Sequence, residues 1–174
     1  MEAARVATGA DVARLAQLTE EAVAEQAEGR GGAIWSRREA RERPADETLA
    51  AAVADPDQLV LAGTIDDFVI GYVAAHVEPL ADGSPLGVIS DIYVEPDARG
   101  IGVGEAMIDQ VLAWCAERGC VGIDALALPG NRHTKNFFET FGFKARALTV
   151  HRSLVAPPSA APDPVVVEVE VADA

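Results

Sequence analysis

One stretch restricts the fold of this chain more than any other: Asp91-Ile92-Tyr93-Val94-Glu95-Pro96-Asp97-Ala98-Arg99-Gly100-Ile101-Gly102-Val103-Gly104-Glu105. Its first residues alternate as a strand does, and Pro96 lacks the N–H that further pairing would need. Three alternate glycines then lead into an amphipathic helix running from Glu105 to about Arg118. Glycine leaves no side chain between backbone and ligand, so successive N–H groups can converge on an anion. The helix start adds unpaired N–H groups and the positive end of its dipole. Together they form an anion site of the pyrophosphate kind, with Arg99 placed to add a charge-assisted contact. Two nucleotide-binding signatures are excluded. A Walker A loop needs Gly-Lys-Ser/Thr where this chain has Gly104-Glu105-Ala106. A dinucleotide fingerprint needs Gly-x-Gly-x-x-Gly, whereas Gly100, Gly102 and Gly104 are evenly spaced, which argues against a nucleotide-dependent oxidoreductase.

The elements around this turn are legible from periodicity. Val12, Leu15, Ala16, Leu18, Ala22 and Val23 recur at helical spacing and predict a helix from Asp11 to about Gln26, broken by Gly29 to Gly32. A charged helical stretch is expected over Ser36–Arg43 with Trp35 at its edge. A third helix is expected over Ala45–Ala54, entered through Pro44 and ended by Asp55-Pro56. The period then changes to two. Leu59–Thr64, Phe68–Val77 and Val88–Val94 are apolar and β-branched, separated by Asp66-Asp67 and Asp82-Gly83-Ser84-Pro85, and read as three successive antiparallel strands. Beyond Gly119 come a strand over Val121–Leu128, a short helix over Thr134–Phe141 and return strands over Phe143–Val150. Helices first, then a meander, then alternating strands and helices make a mixed α/β (α+β) sheet rather than a doubly wound one. A Pro/Ala-rich stretch over Ala156–Pro164 separates a domain at 1–154 from a tail at 155–174. There, Val165–Val171 alternates Val with Glu, as an edge strand would on this chain or on a second copy in a homodimer.

Charge narrows the partners. The chain has 174 residues, one domain's length, with 14 basic and 28 acidic side chains, and 14 − 28 gives −14. Such a surface repels phosphate backbones and anionic lipid, which argues against nucleic acid and membrane and suits a cationic small molecule or basic peptide. The start of the chain lacks a leader pattern and no apolar run is long enough to span a bilayer, so cytoplasmic residence is expected. Cys115 and Cys120 lack metal-ligand company and read as reduced thiols, so no metal site is expected.

The glycine turn resembles motif A of the GNAT family of N-acetyltransferases, Arg/Gln-x-x-Gly-x-Gly/Ala, with Arg99, Gly102 and Gly104 filling it. A second segment, Asn131-Arg132-His133-Thr134-Lys135-Asn136-Phe137-Phe138-Glu139-Thr140-Phe141-Gly142-Phe143, is similar to the family's motif B. Asn131, Phe137, Glu139, Gly142 and Phe143 match that motif, while Thr134 replaces its usual Ala and Phe138 its Tyr. The resemblance implies a GNAT fold: a mostly antiparallel sheet of six to seven strands flanked by helices, with one strand pair splayed for coenzyme A. It implies acetyl-CoA, or another acyl-CoA, as co-substrate. Ile92 and Val94 would then face pantetheine, and Arg99, Gly100, Ile101, Gly102, Val103 and Gly104 the pyrophosphate. Asn131 and Phe138 would complete the cofactor side.

The implied reaction is direct attack of a primary amine of a small molecule or peptide on the thioester, in a ternary complex. A lysine-like amine is mostly protonated at neutral pH, so a base helps. A strand amide such as that of Val94 is placed to stabilise charge developing on the thioester carbonyl. Base candidates are Asp91, His76 and Glu78. Strand alternation puts Asp91 and Tyr93 on one face and Ser90, Ile92 and Val94 on the other, making Asp91 and Tyr93 the catalytic pair to examine. Phe138 cannot donate the proton that the family's Tyr supplies, so Tyr93 or a water takes that part, the enzyme is simply slower, or the domain binds acyl-CoA without turnover. Trp35, His76 and Glu78 are expected to line the acceptor pocket.

Overall fold

The computed structural model describes residues 1–154. Five strands, β1 (Glu2–Val6), β2 (Gln58–Ile65), β3 (Phe68–Pro79), β4 (Pro85–Val94) and β5 (Ile123–Ala125), lie in the order β1-β2-β3-β4-β5. Every neighbouring pair is antiparallel except β4 with β5, which is parallel and therefore needs a crossover helix. The helices are α1 (Val12–Ala27), α2 (Gly32–Arg38), α3 (Ala45–Ala54), α4 (Val103–Glu117) and α5 (Arg132–Thr140), with α4 as the crossover.

Strand alternation divides the apolar residues into two cores, one on each face of the sheet. Tyr72 and Ala74 of β3 join Val60 and Ala62 of β2 beneath Leu15, Leu18 and Ala22 of α1 and Leu49 and Ala52 of α3. Val73 and Ala75 join Leu59 and Leu61 on the other face, beneath Val103, Met107, Ile108, Val111 and Cys115 of α4. Leu15, Leu18, Leu49, Leu61, Met107 and Ile108 are fully buried. At about 2 kcal/mol for each such side chain, these layers account for the position of every long helix.

Helix α1 starts at an ion-paired corner. The Asp11 carboxylate takes both arms of the Arg5 guanidinium, at 2.7 and 2.8 Å, and accepts from the Thr8 N–H at 2.8 Å. The Arg5 fork, and next the Thr8 bonds, hold the Asp11 carboxyl well below the usual carboxylate range against a desolvation that opposes them. A carboxyl lowered in the folded state contributes stability that is fully present above its unfolded value, about 3.9, and is lost as pH falls below it. Asp11→Asn is expected to cost about 1–2 kcal/mol at pH 7, with the deficit shrinking in acid. Urea melts of both proteins at pH 7 and pH 3 check this, and a deficit that does not change with pH would refute it.

Three expectations need correction. The sheet has five strands among the described residues, not six to seven. Residues 143–150 form no strand: β5 is only three residues long and offers too short a ladder, and residues 144–154 are exposed, with Arg146 ion-paired to Asp124 of β5. The second helix occupies Gly32–Arg38 rather than Ser36–Arg43. Gly31, at φ 85°, turns the chain straight into it, and Pro44 disfavours helical backbone just before itself. Strand β1 was not expected, and the tail with its Val165–Val171 edge-strand candidate lies outside the described residues.

Candidate active site

The site begins where β4 loses a neighbour. Its pairing with β5 covers only Gly87, Val88 and Ile89, opposite Ile123, Asp124 and Ala125, so from Ser90 onward β4 is flanked by β3 alone. At that point the β3 register slips: Ala75 pairs Ile89 but Ala74 pairs Asp91, leaving Ser90 as a bulge. The bulge re-aims everything beyond it. Ile89 packs in the α4-side core, yet Asp91, two residues on, meets Tyr72 of the opposite core. Backbone groups switch too. The Gly87 N–H donates across to Gly122 on the β5 side, whereas the Glu95 N–H donates to Ile70 of β3. By alternation the N–H and C=O of Ile92 and Val94 point away from β3, into the gap where β5 has stopped. The Val94 C=O accepts there from Arg99 Nε at 2.9 Å.

The glycine turn closes this gap at one end. Gly100 and Gly102 have φ of 78° and 100°, which L side chains rarely adopt, and Gly102 is the residue preceding α4. The first N–H groups of α4, from Val103 on, therefore present the anion-binding end of a helix beside the open β4 edge. Gly104 has a different reason to be glycine: a Cβ there would press on the Phe137 ring of α5 at 3.1 Å. Arg99 does not reach toward this turn. Its guanidinium forks onto Glu25 of α1 at 2.7 and 3.0 Å and lies 5.5 Å from the Tyr93 ring centroid, so it ties α1 to the end of β4. Burial, and next the Glu25 charge, push the Tyr93 phenol up, which keeps it protonated at neutral pH.

Beside the bulge lies a cleft of about 60 Å³ between α1, Trp35, β4 and α5. Among the described residues its only charged lining groups are Asp91 and Arg41. Arg41 follows α2 and grips Asp91 side-on, Nε to Oδ1 at 3.2 Å and Nη2 to Oδ2 at 2.5 Å, with each side chain only 10% exposed. Tyr72 donates to Oδ1 at 3.3 Å, and the Ser90 hydroxyl donates to Oδ2 at 2.8 Å. Four donor groups thus surround the carboxylate, with the single Ser90 proton also within 3.2 Å of the Ala74 carbonyl. The Thr19 hydroxyl donates to Tyr72 Oη at 2.7 Å. Burial, reinforced by the Asp91 charge, pushes the Tyr72 phenol far up, so it stays a neutral hydrogen-bond donor.

The profile of the acetyltransferase (GNAT) family matches residues 16–143. The chain belongs to that family. Curated relatives of this GNAT chain include the aminoglycoside N(6')-acetyltransferase type 1 of Stenotrophomonas maltophilia, 32% identical over 42% of the chain and 52% of the relative. The glucosamine 6-phosphate N-acetyltransferase of Trypanosoma brucei brucei is 28% identical over 44% and 52%. The matched regions thus span about half the length of these relatives. Among solved structures, a ribosomal-protein-alanine N-acetyltransferase from Brucella melitensis superposes with a TM-score of 0.64 at 19% identity, over 89% of this chain and 100% of that one. At that identity the match speaks for the fold.

Within this GNAT fold the residues singled out from sequence separate into several places. Asp91, Ile92, Trp35 and Phe138 line the cleft together. Tyr93 shares the α1-side face with Asp91 but is buried beneath Arg99 and is not part of the cleft wall. His76 and Glu78 lie toward the far end of β3, opposite Val88 and Leu86, and pair with each other at 3.0 Å outside the cleft. Asn131 caps α5, its side chain accepting from the Thr134 N–H at 3.1 Å. Sequence reasoning passed over Tyr72, Thr19 and Arg41. Tyr72 had a signal, since it falls on the α1-side register of a strand and directly opposite Tyr93. Arg41 had none, being one arginine in a charged stretch.

Proposed function

We propose that this protein transfers an acetyl group from acetyl-CoA to a primary amine of a small molecule. The observation that carries the reading is the open β4 edge, Ile92 and Val94, running into the positive-φ glycine turn and the start of α4. An extended chain bearing amides fits beside that edge, and a diphosphate suits the amides of Gly100 to Gly104. When bound, acetyl-CoA supplies an activated thioester: the neutral amine nitrogen gains the acetyl group as the C–S bond breaks, and the proton it loses goes to the departing thiolate, giving an amide and a free thiol. The chain's own part is to hold, orient and dehydrate. Ile92 and Phe138 provide apolar walls at the junction of cofactor edge and acceptor cleft, and Trp35 flanks the acceptor side.

Release of thiol from acetyl-CoA in the presence of amines tests the reading directly. Gly102→Val places a β-branched residue at φ 100° and is expected to weaken coenzyme A binding by about tenfold or more, read by calorimetry. Unchanged affinity would remove the turn from the cofactor site.

One observation favours a second reading, a module that binds acyl-CoA without turnover. Phe138 lines the cleft where the resemblance expects a proton-donating Tyr, and the Asp91 carboxylate is already fully engaged. A positioned acid is worth about 10²-fold or more. Phe138→Tyr is therefore expected to raise the turnover number by about tenfold or more, and an unchanged rate would mean that another donor already serves.

A further inference from the structure

The Arg41–Asp91 pair divides the donors of one guanidinium in an informative way. A guanidinium has two forks able to meet a carboxylate, the side-on Nε/Nη2 edge and the end-on Nη1/Nη2 edge. Asp91 takes the side-on fork. Among the described residues nothing takes the end-on fork: Arg41 Nη1 has no hydrogen-bond partner there. No fully buried side-chain nitrogen or oxygen among those residues lacks a partner, so Nη1 keeps some exposure, and Arg41 is one of the residues lining the cleft. A nearly desolvated planar fork on a residue that lines a cleft suits a planar oxyanion.

The same inventory argues against a polycation. Arg41 neutralises Asp91, and the four bonds that Asp91 accepts leave it no site for an ammonium group. Among the described residues no other carboxylate lines the cleft. Trp35, Ile92 and Phe138 offer apolar walls between the fork and the β4 edge.

We infer that the acceptor is an amine that also bears a carboxylate, held by the end-on fork of Arg41 with its amine directed to the β4 edge. This rests on the acetyl-transfer reading for the amine end, while the carboxylate site stands independently of it. A carboxylate is preferred to a phosphate because the planar carboxylate matches the fork and adds one negative charge beside the neutral Arg41–Asp91 pair, where a phosphate dianion adds two.

Aminohexanoate, aminohexanol, diaminohexane and aminohexyl phosphate share one spacer and differ only at the far end. With saturating acetyl-CoA, kcat/KM for aminohexanoate is expected to exceed that for each of the others by about tenfold, as one charge-assisted fork allows. In Arg41→Gln, and in Arg41→Gln with Asp91→Asn, which leaves no orphan charge, that advantage is expected to fall to about twofold or less. An advantage for diaminohexane or aminohexyl phosphate in the native protein, or one for aminohexanoate that survives the Arg41 substitutions, overturns the inference. Titration of hexanoate into the protein with coenzyme A present separates the two readings. Should no amine release thiol, acetyl transfer fails, yet hexanoate binding that disappears in the double variant still establishes the anion site. Absence of hexanoate binding to the native protein overturns it.

Discussion

Alanine at Asp91 is expected to lower the unfolding free energy by about 3 kcal/mol, far more than an ordinary ion pair is worth. Both partners are 10% exposed, so the guanidinium of Arg41 has already given up most of its water. Truncating Asp91 leaves that charge without a counter-ion, and breaking a buried pair from one side costs about 3–5 kcal/mol. It also leaves the buried Tyr72 phenol without its acceptor. Removing both charges at once removes the orphan. Asp91→Leu with Arg41→Leu is therefore expected to be closer to the native protein than either single change, a coupling that a urea-denaturation cycle over the four proteins measures. A cost for Asp91→Ala under about 1 kcal/mol would rank the pair with exposed ion pairs and remove the argument for a desolvated fork.

Gly32→Ala is expected to be comparably damaging, by steric means. A Cβ at Gly32 would stand 1.9 Å from the Gln26 carbonyl oxygen, with backbone atoms of Ala27 at 2.8 and 2.9 Å. Backbone atoms cannot rotate aside as a side chain does, so α1 and α2 must separate. We expect a loss of about 3 kcal/mol, the upper end for overpacking. Because Trp35 lies one turn along α2, the wall of the cleft that it forms should be disturbed as well. Gly9→Ala is the control: nothing lies within 4 Å of its Cβ position, and its effect should be within about 0.5 kcal/mol. Thermal melts of the two variants, equal within error, would show that the α1–α2 corner yields more easily than its geometry implies.

The parts of the fold legible in sequence are those where one local rule dominates. The meander of β2, β3 and β4 announced itself through β-branched runs punctuated by Asp66-Asp67 and Asp82-Gly83, and those two aspartates do adopt positive φ. Helix α3, bracketed by Pro44 and Asp55, falls on its expected residues. Strand β1 was hidden because Glu2-Ala3-Ala4-Arg5-Val6 lacks alternating apolar residues, and it holds only as an edge paired to β2. The bulge at Ser90 had no glycine or proline to mark it, yet it decides which core Asp91 faces. Simple alternation paired Asp91 with Tyr93 correctly because both lie beyond the bulge. It also placed Ser90 with Ile92, a relation that the bulge does not guarantee. The role of Arg41 depends on long-range packing across fifty positions, and no window of sequence reports that.

Helix α1 has a consequence of its own for how the two halves of the site communicate. Thr19 reaches the Tyr72 hydroxyl and so the cleft beside Asp91, while Glu25, on the same rod and about 9 Å further along, clamps Arg99 at the exit of β4. A stiff lever touching both compartments cannot pivot for one guest without being felt by the other. Whatever change in affinity the first arrival imposes on the second must be returned in equal measure when the order of arrival is reversed.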